Sequence, residues 1–265
     1  MLRTRLLTAA FWIPAIWVLA KYVPDPLFNG FIVAVAAVGL YEYFTMAFPD
    51  RPGEAAVGLV WGIALAGAVV WARPEAWGAA LSLAVVGGFV VLLFGAADLS
   101  SAAQRFGLML LGVVYVGFLT PHFVLLRGVM YGWRWVLLTV FVAMGSDTGG
   151  YFAGRYLGRH KLAPVISPSK TIEGTFGAVA GAVLIAWLCR VAFFSVLGAR
   201  EAVALGAAIS VLAQLGDLGE SALKRAFGAK DSGWIIPGHG GILDRLDSLL
   251  FPIVFTYYYA ALPRT

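Results

Sequence analysis

The side chains best suited to chemistry are concentrated in residues 214–248, the most charged stretch of an otherwise very apolar chain. Carboxylates and basic side chains recur there at helical spacing, on both sides of a glycine-rich loop. Charges in so apolar a chain are costly to keep beside a membrane and usually serve function. The charged residues are Asp217, Glu220, Lys224, Arg225, Lys230, Asp231, Asp244, Arg245 and Asp247.

The first half of this segment predicts a polar stripe along one helix face, because its polar residues are spaced three or four apart. A polar stripe is usually a solvated face. Here, however, the carboxylates lie nearest to the apolar stretch that precedes them, which a solvated face does not require. The stripe consists of Gln214, Asp217, Glu220, Ser221, Lys224 and Arg225.

A second carboxylate pair follows the glycine-rich loop, residues 237–241, which reads PGHGG. Glycines let backbone N–H groups approach a ligand closely. Asp244 and Asp247 come next, on one face of a helix that either of them could instead cap. Mg²⁺ binds carboxylates together with phosphate oxygens, and basic side chains neutralise phosphate charge. The pattern therefore predicts a site for one or two hard cations and a phosphate chain.

Residues 146–161, which read SDTGGYFAGRYLGRHK, carry a weaker signal. Gly150, Gly154 and Gly158 leave one helix face without side chains, which favours a tight contact between two helices. Asp147 lies late in a predicted span, where a carboxylate needs a partner or a metal.

Residues 167–174, which read SPSKTIEG, lead into an apolar stretch, residues 174–197. Hydroxyls, free N–H groups and a lysine at a helix start would form an anion-binding cradle. Ordinary helix capping, with Ser167 as the N-cap and Pro168 in the first turn, explains the same residues equally well.

The composition indicates that these elements lie in a membrane. Of the 265 residues, 61% are hydrophobic and 12% charged, whereas a soluble domain carries about 25% charged residues. A soluble protein of this size could not bury so much apolar surface, so its solvent must be lipid. The net charge of +5 suits an anionic substrate or membrane surface and does not indicate nucleic acid.

Nine apolar stretches predict an all-α, polytopic helical bundle, although the first, eighth and ninth need flanking residues to span a membrane. Basic residues number twelve in the loops on one side and six on the other. This bias places the N-terminus and both long polar connections, residues 153–173 and 217–247, in the cytosol. The stretches are residues 6–20, 27–48, 55–72, 77–96, 107–126, 133–152, 174–197, 202–216 and 248–262.

Two polar residues stand out in the first half of the chain. Glu42 either supports the site from behind or lies at the membrane interface, and His122 is expected to make a structural hydrogen bond. No repeat or polar linker divides the chain, which predicts a single membrane domain. Its predicted parts are scaffold spans in residues 1–140, a catalytic half in residues 141–250 and a last span in residues 248–265, within one domain of residues 1–265.

The longest motif, residues 221–247, resembles the C-terminal signature of the phosphatidate cytidylyltransferases, from SALKR through KD to PGHGGILDRLD. The SDTGGYFAGRYLGRHK and SPSKTIEG stretches are also similar to that family's. The resemblance implies a multi-span homodimer, in a bacterial inner membrane, that converts CTP and phosphatidate to CDP-diacylglycerol and pyrophosphate. It also implies Mg²⁺ as the cofactor, with K⁺ as a candidate second cation.

The resemblance implies that Asp217 and Asp244 hold the metal, and Asp147 and Glu220 are further candidates. Lys224, Arg225 and Asp247 complete the hypothetical catalytic set, in which the basic residues hold phosphates. The candidate substrate-binding residues are Ser167, Ser169, Lys170, Glu173, Ser221, Lys230, Asp231, His239, Gly240, Gly241 and Arg245.

Two other functions stay open. A secondary transporter for an anion would also combine many spans with charged segments, although here the polar residues gather on one side of the membrane. The same chemistry on an ether lipid, or a lipid kinase, is the other alternative.

Overall fold

The computed structural model describes residues 14–72, 74–95, 99–233 and 240–262. These residues are mainly helical, as expected, with one short hairpin in addition. The helices are α1 (Asp25–Ala47), α2 (Pro52–Trp71), α3 (Pro74–Gly95), α4 (Leu99–Gly112), a π-helix (Val113–Phe118), α5 (His122–Gly128), α6 (Gly132–Leu157), α7 (Ile172–Ala192), α8 (Ala199–Ala226) and α9 (Leu243–Ala261).

Six helical segments in the described residues are long and apolar enough to cross a membrane, so the predicted number of nine spans is not confirmed. The first predicted span falls mostly on residues outside the described ranges. α3 yields only a shorter apolar segment, Pro74–Val90, and α9 carries Asp244 in its first turn and Pro252 inside. The six segments are Asp25–Ala47, Pro52–Trp71, Ser101–Gly128, Gly132–Leu157, Ile172–Ala192 and Ala199–Ala226.

The chain forms two compact units. The second unit combines part of the predicted scaffold half with the segment that carries the signature, and the single membrane domain stays a prediction. The first unit comprises Met1–Gly30, Phe123–Leu215 and Phe251–Thr265, and the second comprises Phe31–His122 and Gly216–Leu250.

In the first unit, α6 and α7 pack together through glycines, as the sequence predicts. A Cβ atom added to Gly150 would lie 3.3 Å from the Cβ of Ala178, and one added to Gly154 would lie 3.2 Å from Thr171 Oγ1. Small residues allow two helix backbones to approach this closely, which is how helices associate in lipid.

Replacing Gly149 with alanine should lower the free energy of unfolding by about 1–3 kcal/mol, because a methyl group has no space in this contact. Its Cβ would collide with the carbonyl oxygen of Gly177 and lie 3.1 Å from Gly181 Cα. Thermal unfolding in detergent measures the loss. Gly30→Ala is the matched control, since no atom lies within 4 Å of its added Cβ; equal midpoints for the two variants would contradict the packing argument.

A hairpin joins α6 to α7, where the sequence left helix capping as one alternative. Strand β1 (Lys161–Ala163) pairs antiparallel with β2 (Ser167–Thr171). Ser167 is therefore not a helix cap, and Pro168 does not begin a helix. Lys161 Nζ donates to the Pro168 carbonyl oxygen at 2.7 Å, which ties the two strands together. The cap is Thr171, whose Oγ1 accepts from the Gly174 amide at 3.1 Å.

In the second unit, aromatic side chains fill the space over small residues. Gly58 lies against the ring of Phe44, and Tyr43 Oη donates to the Leu108 carbonyl oxygen at 2.9 Å. His122 is fully buried, and its Nδ1 lies 3.0 Å from the Phe118 carbonyl oxygen. The predicted structural hydrogen bond of His122 is confirmed.

Candidate active site

Lys224 connects the two predicted carboxylate stripes of the second unit. Its Nζ lies 2.5 Å from Glu220 Oε2, one turn earlier on α8, and 2.5 Å from Asp244 Oδ1 on α9. The Glu220 side chain is 1% exposed, and those of Lys224 and Asp244 are each 12% exposed. Two carboxyl groups and one ammonium group are thus held together away from bulk water. We refer to these three residues as the Lys224 bridge.

Asp244 also fixes the backbone at the start of α9. Its Oδ2 accepts from the amides of Gly241, at 2.8 Å, and Ser232, at 3.0 Å. Burial raises the pKa of Asp244, but the hydrogen bonds from Lys224 and these two amides lower it by more, so the pKa lies below its ordinary value. Asp244 is therefore a carboxylate anion with both oxygens engaged.

The glycines of the motif let the backbone come close to this carboxylate. Gly240 has a φ of +78°, in the left-handed region that favours glycine, and a Cβ there would lie 2.7 Å from Asp244 Oδ2. A Cβ on Gly241 would collide with Ser232 Oγ and Glu42 Oε2. A larger residue at either position would push the backbone away from its acidic partners.

Glu42, on α1, is a second acidic residue that contacts the loop. The sequence alone did not predict this contact. Glu42 is only 2% exposed. It accepts hydrogen bonds from Ser232 Oγ at 3.2 Å, the Ile242 amide at 3.0 Å and the Leu243 amide at 2.8 Å. Of the two alternatives left open for Glu42, support of the site from behind is the one that the contacts favour.

Two further carboxylates lie in the same unit. Asp217 Oδ1 is 3.4 Å from Ser221 Oγ, a weak hydrogen bond within α8, and Asp247 Oδ1 accepts from the Ser248 amide. Tyr115, in the π-helix, lies within electrostatic range of Glu220, Asp247 and Asp217. These carboxylates thus lie in the same part of the second unit as the buried Tyr115 side chain.

The remaining candidates of the second unit lie further out. Arg225, Lys230, Asp231 and Arg245 are exposed, and Arg225 Nη1 donates to the Ala229 carbonyl oxygen at 3.3 Å. His239 lies outside the described residues. These exposed side chains stay predicted phosphate or substrate ligands.

The upstream candidates belong to the first unit and lie in and beside the hairpin. Ser169 is exposed, Ser167 and Lys170 are half-buried, and Asp147 is exposed near the middle of α6. Glu173 has a clear structural contact: its carboxylate accepts from the amides of Arg159 and His160 at 3.0 and 3.2 Å. Glu173 thus fixes the base of the hairpin, and its predicted contact with substrate stays a prediction.

Comparison with known proteins gives this geometry its context. A sequence model of the cytidylyltransferase family matches residues 3–262, which is nearly the whole chain. The chain belongs to the cytidylyltransferase family. The resemblance stated from the signature is thereby confirmed.

Several curated relatives in this family carry the name phosphatidate cytidylyltransferase. The Bacillus subtilis (strain 168) protein is 41% identical over 157 residues, which are 59% of this chain and 58% of the relative. A Staphylococcus epidermidis protein is 44% identical over 142 residues, 54% of each chain. A Brucella suis protein is 41% identical over 156 residues, 57% of this chain and 56% of the relative. The chain thus spans little more than half the length of these relatives.

The resemblance to this family implies a metal, and the donor atoms of the second unit suit a hard cation. Carboxylate oxygens are the ligands that Mg²⁺ prefers. Glu220 Oε1 is buried and accepts no hydrogen bond within the described residues, so it has coordinating capacity to spare. Within those residues, no group of three or more metal-binding side chains is assembled. Mg²⁺ commonly uses only one or two carboxylates and completes its coordination with phosphate and water.

Sequence reasoning found the Lys224 bridge residues but missed Ser232, and it left Glu42 unresolved. The one available signal was a carboxylate in an otherwise apolar span, which demands a partner. Its partners lie 190 to 201 residues away along the chain, a distance at which no local spacing rule applies.

Proposed function

We propose that this protein is a membrane-embedded, metal-dependent phosphatidate cytidylyltransferase, which converts CTP and phosphatidate to CDP-diacylglycerol and pyrophosphate in phospholipid synthesis. The Lys224 bridge is the observation that carries the proposal. It gathers two residues of the signature, Lys224 and Asp244, and the adjacent Glu220 into one largely buried cluster. The names of the relatives support the choice of substrates.

In the proposed reaction, an oxygen of the phosphatidate phosphate forms a bond to the α-phosphorus of CTP. The bond from that phosphorus to the oxygen bridging the α- and β-phosphates breaks, and pyrophosphate leaves with the electron pair. A phosphate monoester is already an anionic nucleophile, so no covalent enzyme intermediate is needed. The main barrier is the repulsion between two polyanions, which fixed positive charge reduces.

Separate groups of residues are proposed to bind the metal, the phosphates of the nucleotide and the lipid phosphate. Asp217 and Asp244 would hold Mg²⁺, with Glu220 as a further candidate ligand and Asp247 beside them. When bound, the cation supplies charge neutralisation at the reacting phosphates. The basic side chains of Lys224, Arg225 and Lys230 would contact the triphosphate or the pyrophosphate, because lysine and arginine bind phosphate oxygens by charge-assisted hydrogen bonds. The residues proposed to hold the lipid phosphate or the nucleotide are Ser167, Ser169 and Lys170.

The setting follows from the same proposal. The six long apolar helices support integral membrane placement, and the relatives come from bacteria. We infer an inner membrane location, with the site facing the cytosol where CTP is present, a homodimeric assembly, and K⁺ as a candidate second cation. The lipid tails would stay in the bilayer while only the phosphate reaches the polar residues.

Purified protein in detergent should release pyrophosphate only when CTP, phosphatidate and Mg²⁺ are all present. The assay measures pyrophosphate and CDP-diacylglycerol together, with each component omitted in turn. A lipid kinase releases ADP and no pyrophosphate, so ATP in place of CTP, with ADP measured, tests that alternative. An ether-linked lipid tests the other lipid class. If folded protein releases no pyrophosphate with any of these substrates, the proposal is wrong. ADP formation would then favour the lipid kinase, and formation of neither product would favour a transporter, which breaks no phosphate bond.

A further inference from the structure

All described hydrogen bonds to the Glu42 carboxylate come from the segment that carries the signature. We propose that Glu42 is a positioning residue of the active site: it holds residues 231–233 and 240–242, which we call the signature loop, so that Asp244 meets Lys224. This inference rests on the proposed function for its consequence in catalysis. The structural part, control of Asp244 by a carboxylate on α1, does not depend on it.

The Glu42 carboxylate caps the start of α9. The first amides of a helix have no partner within the helix, and a nearby carboxylate satisfies them. Glu42 accepts from two such amides, those of Ile242 and Leu243, at 3.0 and 2.8 Å. The cap thus comes from another helix, about 200 residues away in sequence. It fixes the direction in which α9 leaves the loop.

Ser232 connects Glu42 to Asp244 by hydrogen bonds to both residues. Ser232 Oγ donates to Glu42 Oε2 at 3.2 Å and accepts from the Asp244 amide at 3.3 Å. The Ser232 amide in turn donates to Asp244 Oδ2 at 3.0 Å. Ser232 is only 4% exposed, so water cannot readily replace these bonds. A displacement of Glu42 would therefore move both the backbone and the side-chain partner of Asp244.

Two glycines of the loop lie directly against the Glu42 carboxylate. A Cβ atom added to Gly233 would lie 2.7 Å from Glu42 Oε1, and one added to Gly241 would collide with Glu42 Oε2. Two separate parts of the loop thus pass against the same carboxylate, and a side chain at either glycine would force Glu42 or the loop to shift. The glycines of the signature serve this contact as well as any approach of the backbone to a ligand.

A carboxylate that merely stabilised the fold would behave differently from a positioning residue. Glu54, in the same unit, provides the comparison: its carboxylate accepts two hydrogen bonds from Arg105 Nε, at 3.0 and 3.1 Å, and one from Arg51 at 3.0 Å. None of these partners belongs to the signature loop. Glu54→Gln therefore makes the same chemical change in the same unit without touching the loop.

The test compares Glu42→Gln with Glu54→Gln in the full-length protein. In Glu42→Gln, kcat should fall about tenfold to hundredfold, which is the usual effect of removing an outer partner of a metal-site ligand, while KM for phosphatidate changes less than about threefold. Glu54→Gln should keep kcat within about twofold. Hydrogen exchange, measured in the same proteins without substrate, should accelerate at Gly241, whose amide donates to Asp244 and not to Glu42.

Ser232→Ala provides a second route if Glu42→Gln folds poorly. This variant should show the same faster exchange at Gly241 and the same loss in kcat, and the double variant should lose little more than either single one, because residues in one network are not additive. Unchanged exchange at Gly241 in both single variants would overturn the inference, whatever the activity. Unchanged kcat in both, in an active wild type, would overturn its catalytic part. A wild type without cytidylyltransferase activity would refute the proposed function alone, since the exchange result stands by itself.

Discussion

Asp244→Asn is expected to lower turnover at least about a hundredfold to a thousandfold while leaving the protein folded. The loss has this size because preorganised charge at a reacting phosphate contributes on that scale. Asp244 offers one oxygen to Lys224 at 2.5 Å and the other to two backbone amides. An asparagine has a single acceptor oxygen, so its NH₂ group must face either the ammonium or the amides. Pyrophosphate release by the purified variant measures the loss.

Asp50→Asn is the control for this substitution. Asp50 is an exposed carboxylate of the same unit, between α1 and α2, and its replacement should leave turnover unchanged. Thermal unfolding of both variants shows whether the fold survives. An Asp244→Asn protein that keeps a large part of wild-type turnover would remove Asp244 from the catalytic set and leave it only a structural role at the start of α9.

Much of the second unit could be predicted from the sequence because its residues obey local spacing rules. Glu220 and Lys224 are one helical turn apart, so their ion pair follows from the geometry of α8. The glycine contact between α6 and α7 was also predictable, since Gly150 and Gly154 repeat at the spacing of one helix face. In both cases a short-range rule fixes which side chains point the same way.

Other features depend on partners that no local rule supplies. The segment around Ser167 contains a proline and hydroxyls suited to a helix start. It nevertheless pairs with Lys161–Ala163 as a strand, and the helix begins only after this hairpin, at Ile172. Glu42 was visible only as a charge in an apolar helix. Its function became clear once its contacts with Ser232 and the start of α9 were known.

The predicted number of nine spans was not confirmed within the described residues, for a related reason. Apolar composition marks a segment as buried or lipid-facing, but it does not show where a helix begins and ends. α9 begins at Leu243, earlier than its predicted apolar stretch, and its first turn carries the charged signature residue Asp244. It is therefore helical as predicted without being among the helices that qualify as spans.

Lys224→Met is expected to destabilise the protein by about 3–5 kcal/mol, the usual cost of leaving buried charge without its partner. From the sequence alone, loss of this lysine should mainly weaken the use of nucleotide. The structure adds a second consequence, because Lys224 Nζ lies 2.5 Å from both Glu220 and Asp244. Without the ammonium, two carboxylates with little exposure would face each other. Chemical unfolding in detergent, followed by intrinsic tryptophan fluorescence, measures the change.

Two further variants separate the charge effect from the loss of the lysine side chain itself. Lys230→Met removes an exposed lysine of the same segment and should change stability by less than about 0.5 kcal/mol, as for most surface substitutions. Lys224→Met combined with Glu220→Gln should recover much of the lost stability, since the amide leaves only one buried charge at Asp244, which retains its two backbone amides. If the double variant is no more stable than Lys224→Met, packing of the lysine stem accounts for the loss, and the Lys224 bridge is not held together by charge.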